Sequence, residues 1–374
     1  MAKERNFPID LVLVRHGESE GNLCQFFSKK GDDRLWSTPN FKDRHNSKYR
    51  LTEKGREQAA AAGKYIRANI SEHFDRYYCS EFIRAQETAG LLQMPNANWN
   101  VESYLRERDT GVLVGRSHIQ RQTHYKDETR FAASDSYYWA PPGGESIANA
   151  CLRIDRFLDS LRENSAGLRV LAVCHGNMMK GFRVRLERLT QAMFTEWEAE
   201  SKINPKAKIH NCQILHYTRR NPNSGGIHGS FRWVRSICPY DEEKGSREWR
   251  EIIRPTFSNE ALLAFAKSVP QLISTADAER LKKIDAEAAP EKAQRIEEAD
   301  RMKALISDHP LHQGVGACEP TGIPFKSLER KGFSSFDSSL SAAASSSNDS
   351  TTTASNRQTT TQSKSDTVQG DDME

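Results

Sequence analysis

Leu11-Val12-Leu13-Val14-Arg15-His16-Gly17-Glu18-Ser19-Glu20-Gly21-Asn22 is the stretch on which the fold of this chain turns. Its first half is an aliphatic run that reads as a short buried strand and stops at a turn glycine. A second run, Val170-Leu171-Ala172-Val173-Cys174-His175-Gly176-Asn177, has the same design. In a parallel sheet the carboxyl ends of strands gather at the face where ligands bind. Two strands that each end in His-Gly would bring two imidazoles to one site, with Arg15 beside the first.

That pairing suits phosphoryl chemistry. Imidazole is a good nucleophile near neutral pH, where much of it is uncharged. An uncharged His16 can attack phosphorus and form a phosphohistidine, splitting one hard displacement into two easier ones. Arg15 and His175 would offset the negative charge on the phosphoryl oxygens, and phosphoryl transfer rests largely on such positioning and electrostatics. A lone His-Gly strand end is more often a histidine satisfied by a backbone carbonyl. The matched pair, one member carrying Arg-His-Gly-Glu, reverses that preference.

Four segments, in order, resemble the histidine phosphatase superfamily, also called the phosphoglycerate-mutase-like family. They are Arg15-His16-Gly17-Glu18 with Asn22, Ser80-Glu81-Phe82-Ile83-Arg84-Ala85-Gln86-Glu87-Thr88-Ala89, Leu105-Arg106-Glu107-Arg108-Asp109, and Cys174-His175-Gly176. Leu51-Thr52-Glu53-Lys54-Gly55 is a looser match, and the whole spans about residues 9–218. The resemblance implies that His16 is the phosphorylated nucleophile. It implies that Arg15, Arg84, His175 and Gly176 bind the phosphoryl group and that Asn22 donates to it. Glu107 would be the general acid for the leaving oxygen, then the base for water. The scheme uses no metal and no cofactor.

Each residue also has a plainer reading. Arg84 falls in a helical stretch, where arginine is usually a solvated face residue. Glu107 stands in a charged cluster, and Glu102 is its nearby competitor. Asn22 can cap or turn the chain. Cys174 reads as a buried strand residue pointing away from its neighbour His175.

The chain has 374 residues and a net charge of +4, which suits one catalytic domain with additions and does not by itself imply a nucleic-acid or membrane partner. Its seven cysteines are scattered, with no Cys-x-x-Cys pair, which suggests neither a zinc site nor a disulfide framework. A reducing, cytoplasmic compartment follows as the simpler expectation. No signal peptide or membrane span is expected. The sequence leaves the oligomeric state open.

Strands are expected at 10–15, near 75–79, at 101–105, 169–174 and 209–218, and helices at 52–70, 81–92, 145–164 and 177–189. This alternation predicts an α/β fold, a three-layer α/β/α arrangement with a mainly parallel central sheet. Asn221–Gly226 reads as a turn and Phe231–Ile237 as a strand, together a hairpin closing the catalytic domain. The catalytic domain is placed at 1–240 and an accessory helical extension at 241–333, with two helical stretches split near Pro290. Residues 334–374, rich in Ser and Thr, form a tail expected to be disordered.

Two long loops, about 23–50 and 108–142, read as lids that set substrate choice. Their basic residues, among them Lys29, Arg34, Arg108, Arg121 and Arg130, would favour a substrate with charge beyond the transferred phosphoryl. Pro141-Pro142-Gly143-Gly144-Glu145-Ser146 fits a tight turn into a helix. It resembles a turn of the phosphatase members, and His210-Asn211-Cys212 is similar to a segment in some phosphatase branches. The leading expectation is a metal-independent phosphomonoesterase acting on a small phosphorylated substrate or a phosphoprotein. The alternatives are a phosphoglycerate-mutase-type phosphotransferase and a weakly catalytic protein that binds phosphorylated ligands.

Overall fold

Along β1 (Asp10–Arg15) side chains alternate between two interiors. Leu11 and Leu13 enter one hydrophobic cluster and Val12 and Val14 another, on the opposite face of the sheet. A strand buried on both faces must be aliphatic at every position, which is why this run shows no polar alternation. The structure, a computed structural model, describes residues 6–307.

After β1 come α1 (Glu20–Lys29), α2 (Glu53–Asn69), β2 (Arg76–Ser80), α3 (Ile83–Leu91) and β3 (Trp99–Glu102). Next are α4 (His118–His124), α5 (Lys126–Ser134), α6 (Ile147–Asn164), β4 (Arg169–Cys174), α7 (Gly176–Glu187) and α8 (Gln191–Glu200). The sheet then continues through β5 (Ile214–Thr218), β6 (Trp233–Ile237) and β7 (Ser246–Glu251). Among the described residues these strands form one sheet in the order β3-β2-β4-β1-β5-β6-β7. The first four are parallel and the last three antiparallel. Residues of α2 and α3 pack on one face, and residues of α6, α7 and α8 on the other. The three-layer α/β/α expectation is met.

Register does the functional work. β1 and β4 pair in parallel with Arg15 opposite Cys174. The next residue of each strand is a histidine, so the two imidazoles emerge side by side. β2 lies beside β4 and ends at Ser80, and β3 runs out towards Glu107. Four parallel strands therefore deliver their carboxyl ends to one edge.

Several expectations need correction. The polar loop after β1 is in part the helix α1, with Ser19 as N-cap and Asn22 completing a capping box. The second loop likewise contains α4 and α5, and α8 was not foreseen. β7 lies beyond residue 240, and the compact catalytic unit runs to Thr256.

The second unit, from Phe257, holds α9 (Asn259–Ser268) and α10 (Thr275–Ser307). Its helices part at 269–274, not at Pro290, which lies inside α10. Val269 is extended because it precedes Pro270, whose ring disfavours the helical conformation at the residue before it. The tail 334–374 and the end of the extension, 308–333, lie outside the described residues. Among the described residues no helix is long and apolar enough to cross a membrane.

Candidate active site

Gly17 shows why the first signature needs glycine. A Cβ there would collide with the Gly55 carbonyl, and a Cβ on Gly55 would collide with the Glu18 carbonyl. The β1 turn and the start of α2 thus touch backbone to backbone, which ties the two signature segments together. Gly17 N–H donates to Thr88 Oγ1 at 3.1 Å and Glu18 N–H to Gln58 Oε1 at 2.9 Å. The turn that carries His16 is held from several sides.

His16 is buried, and its Nδ1 donates to the Gly17 carbonyl at 2.7 Å. A carbonyl can only accept, so the proton sits on Nδ1 and Nε2 carries the lone pair. Arg84 Nε donates to that Nε2 at 3.2 Å, while its Nη1 donates to the Asn46 carbonyl at 2.8 Å. Arg84 is therefore no solvated face residue: it is buried on α3 and turned towards His16.

The His175 ring lies 5.1 Å from that of His16, and its Nε2 is 2.8 Å from Ser80 Oγ. Among the described residues its Nδ1 has no hydrogen-bond partner. Arg15 is buried and donates from Nη1 to the Ile209 carbonyl at 2.8 Å. Cys174 faces the core with Leu11 and Leu13, away from the histidines, and burial raises its thiol pKa.

Burial, then the Arg84 and Arg15 charges, hold the His16 pKa well below its ordinary value of 6.5. His175 is lowered in the same direction by burial, Arg84, His16 and Arg15. The sign of the stability effect follows. Below 6.5 the unfolded chain binds protons that the folded histidines refuse, so stability is complete above that pH and falls as pH drops. Each histidine contributes a slope of up to about 1.4 kcal/mol per pH unit. Urea unfolding between pH 7 and pH 5 is expected to show a shallower pH dependence for His16→Ala than for the native chain. Equal slopes would refute this account.

A cavity of about 490 Å³ opens over His16 and Arg84 and is also lined by Asn22, Glu107 and Asn177. Asn22 Oδ1 accepts from Ser19 N–H at 3.1 Å and from Asn211 Nδ2 at 3.3 Å. Its amine is the part left to donate to a ligand. Asn22 is thus both a cap residue and a cavity residue. Glu107 is half-buried, and its Oε1 accepts the Arg108 N–H at 2.8 Å. Glu102, the competitor, accepts from Tyr104 N–H and does not line the cavity. Arg15, His175 and Gly176, the first residue of α7, lie outside the lining of the cavity. Among the described residues no group of three or more His, Cys, Asp or Glu side chains is placed to hold a metal ion.

The loop bearing Glu107 is pinned by a pair that sequence reasoning missed. Arg153 on α6 grips Glu145 in two hydrogen bonds, at 2.7 and 2.8 Å, and donates to the Tyr104 carbonyl at 2.7 Å. Glu145 also accepts the Asp109 N–H at 3.0 Å and an Arg106 N–H at 3.3 Å. Burial alone would raise the Glu145 pKa, but Arg153, the Asp109 N–H and Arg106 bring it below its usual value. The Pro141–Ser146 turn is thereby fastened to the loop that carries Glu107. Removing one partner of a buried pair typically costs about 3–5 kcal/mol. Arg153→Met is expected to lose somewhat less in urea unfolding, about 2–4 kcal/mol, because both groups keep some solvent contact. A loss below about 1 kcal/mol would show the clasp to be incidental. Ser80 and Asn211 stand in quoted motif segments but were not assigned as site residues: which side chain of such a segment faces the histidines is set only once the strands are aligned.

Residues 11–204 match the histidine phosphatase superfamily (branch 1). The chain belongs to that superfamily. It is similar to a 2,3-bisphosphoglycerate-dependent phosphoglycerate mutase of Methylobacterium radiotolerans, 32% identical over 202 residues that make up 52% of this chain and 86% of that protein. A protein of the same description from Rhizobium meliloti is 33% identical over 217 residues, 55% of this chain and 95% of the other. A mycobacterial glucosyl-3-phosphoglycerate phosphatase solved with inorganic phosphate is 22% identical with a TM-score of 0.43, covering 56% of this chain and 88% of its own. Superfamily membership supports an enzyme of phosphoryl transfer and leaves hydrolysis and mutase transfer both in view.

Proposed function

We propose that this chain is a phosphomonoesterase that works through a phosphohistidine on His16, with Glu107 as general acid and then base, on a small phosphorylated substrate. The observation that carries the reading is the state of His16. Its Nδ1 proton is tied to the Gly17 carbonyl, so Nε2 carries the nucleophilic lone pair beneath a cavity, where it accepts from Arg84. On binding, Arg84 passes its hydrogen bond from Nε2 to a phosphoryl oxygen, which frees the lone pair for in-line attack.

His175 complements this. Ser80 Oγ accepts the Phe82 N–H at 3.3 Å, so its own proton is available to His175 Nε2. The proton of a neutral His175 then sits on Nδ1, the unpartnered nitrogen, as a donor to a phosphoryl oxygen. Arg15, Asn22 and the N-terminus of α7 at Gly176 add charge and donors. Glu107 gives its proton to the leaving oxygen, and the resulting carboxylate activates the water that cleaves the phosphohistidine.

The mutase reading is favoured by the relatives, which carry that description. It requires a second phosphate within the cavity. Against it stands Glu198 in the cavity wall, whose carboxylate offsets the charge of Lys180 at 2.9 Å. The deciding experiment is phosphate release from a phosphate monoester with chelator present, with and without 2,3-bisphosphoglycerate. Activator-independent release supports the phosphatase. Phosphoglycerate interconversion that depends on the activator, without net release, overturns it.

A further inference from the structure

The segment 209–213, just before β5, touches three residues of the phosphoryl site. Arg15 N–H donates to the Gln213 carbonyl at 3.0 Å, and Arg15 Nη1 to the Ile209 carbonyl at 2.8 Å. The His16 carbonyl accepts from Cys212 N–H at 3.3 Å and from Asn211 Nδ2 at 3.1 Å. The same Nδ2 donates to Asn22 Oδ1 at 3.3 Å. Asn211 is 1% exposed and does not line the cavity, whereas Asn22 does. Any effect of Asn211 on a bound phosphoryl group therefore passes through other residues.

The segment is held in an uncommon conformation. Gln213 N–H closes a turn on the His210 carbonyl at 3.0 Å. Cys212, the third residue of that turn, has a φ of +51°, in the left-handed region that favours glycine. Backbone strain of this kind gathers at functional sites. Later parts of the chain fasten the turn. Tyr240 Oη donates to the Asn211 carbonyl at 2.9 Å, and Gln213 Nε2 donates to Ser236 Oγ at 2.9 Å and to the Lys244 carbonyl at 3.2 Å. All these residues lie after residue 204, where the superfamily match ends.

Only one half of the Asn211 amide is engaged. Its nitrogen carries two hydrogens, one for each acceptor. Turned over, the amide would set its oxygen against two other oxygens, so its orientation is fixed. Its Oδ1 is buried and has no hydrogen-bond partner among the described residues. Buried polar groups are nearly always satisfied, so an asparagine with half its amide unmet draws attention to what the other half does. Asn22 Oδ1 also accepts from Ser19 N–H at 3.1 Å and Ser19 Oγ at 3.0 Å, which sets the amide against its own helix. Asn211 is the donor that it shares with His16.

We propose that Asn211 is a positioning residue of the phosphoryl site: it locks the Asn22 amide, its amine left to the ligand, to the strand end that carries His16. This rests on the reading of His16 and Asn22 as phosphoryl-site residues.

The test is a double-mutant cycle on the full chain, read as calorimetric binding of inorganic phosphate. Asn22→Ala is expected to weaken binding by about 10–100-fold, the loss of a hydrogen bond to a charged group. Asn211→Leu, close to asparagine in shape, and Asn211→Ala should each weaken it by about 3–10-fold. In the Asn22→Ala background the same changes should cost less than about twofold. The His16 carbonyl keeps the Cys212 N–H there, and Asn211 has lost its route to the ligand. A merely structural residue would give the same loss in both backgrounds, and that result overturns the proposal. So does unchanged binding in both Asn211 variants. Thermal melting checks that the variants are folded, and either one suffices. If neither folds, Asn211 serves the fold and not the site, which also overturns the proposal. If the native chain binds no phosphate, or Asn22→Ala binds it equally well, the phosphoryl-site reading fails first and the proposal falls with it.

Discussion

His16→Ala is expected to reduce phosphate release by about 10⁴-fold or more, the scale on which enzymes lose activity when a covalent nucleophile is removed. The Gly17 carbonyl fixes the tautomer, and the hydrogen bonds of Gly17 and Glu18 to Thr88 and Gln58 fix the turn. The only lone pair of the ring is therefore Nε2, and no other side chain of the floor can replace it. His175 has its Nε2 engaged with Ser80, and the Cys174 thiol faces the core. Two measurements separate loss of chemistry from loss of fold. Rapid quench of the native chain should trap an acid-labile phosphoenzyme that the variant lacks, and inorganic phosphate should still bind the variant. A variant retaining activity within tenfold of native, or a native chain that never becomes labelled, would sink the phosphohistidine mechanism.

Much of this site was legible because its parts obey local rules. A doubly buried strand must be aliphatic, and one that ends in His-Gly twice over pointed to paired parallel strands before any contact was known. Cys174 was placed correctly by strand alternation alone. What sequence could not supply was whatever depends on distant segments meeting. The Arg153–Glu145 clasp joins α6 to a turn, and nothing in either segment announces it. Asn211 reaches His16 and Asn22 across almost two hundred residues of chain. α1 was hidden because Gly21 and its polar neighbours mimic a loop, although Ser19 and Asn22 at capping-box spacing were the available clue. The break between α9 and α10 was assigned to Pro290, whereas Pro270 made it. A proline interrupts most decisively where its neighbours also resist the helix, and Val269 does while the Ala- and Glu-rich flanks of Pro290 do not.

Glu107→Gln is expected to show an effect that depends on the leaving group. Glutamine keeps the carbonyl oxygen that accepts the Arg108 N–H, so the loop should stay in place under the Arg153–Glu145 clasp. What it loses is the transferable proton. Placed acids and bases contribute typically about 10²–10⁴-fold. An alkyl phosphate, whose alkoxide leaves poorly, should lose that full amount in kcat/KM. A nitrophenyl phosphate leaves as a stable phenolate and should lose far less in its first step. Release of the phosphoryl from His16 still needs a base, so the aryl ester should show a burst of nitrophenol followed by slow turnover. That burst is the distinctive outcome, because a merely displaced loop would slow both steps and both esters alike. Equal losses on the two esters with no burst would remove Glu107 from the acid role and transfer the search to other groups lining the cavity.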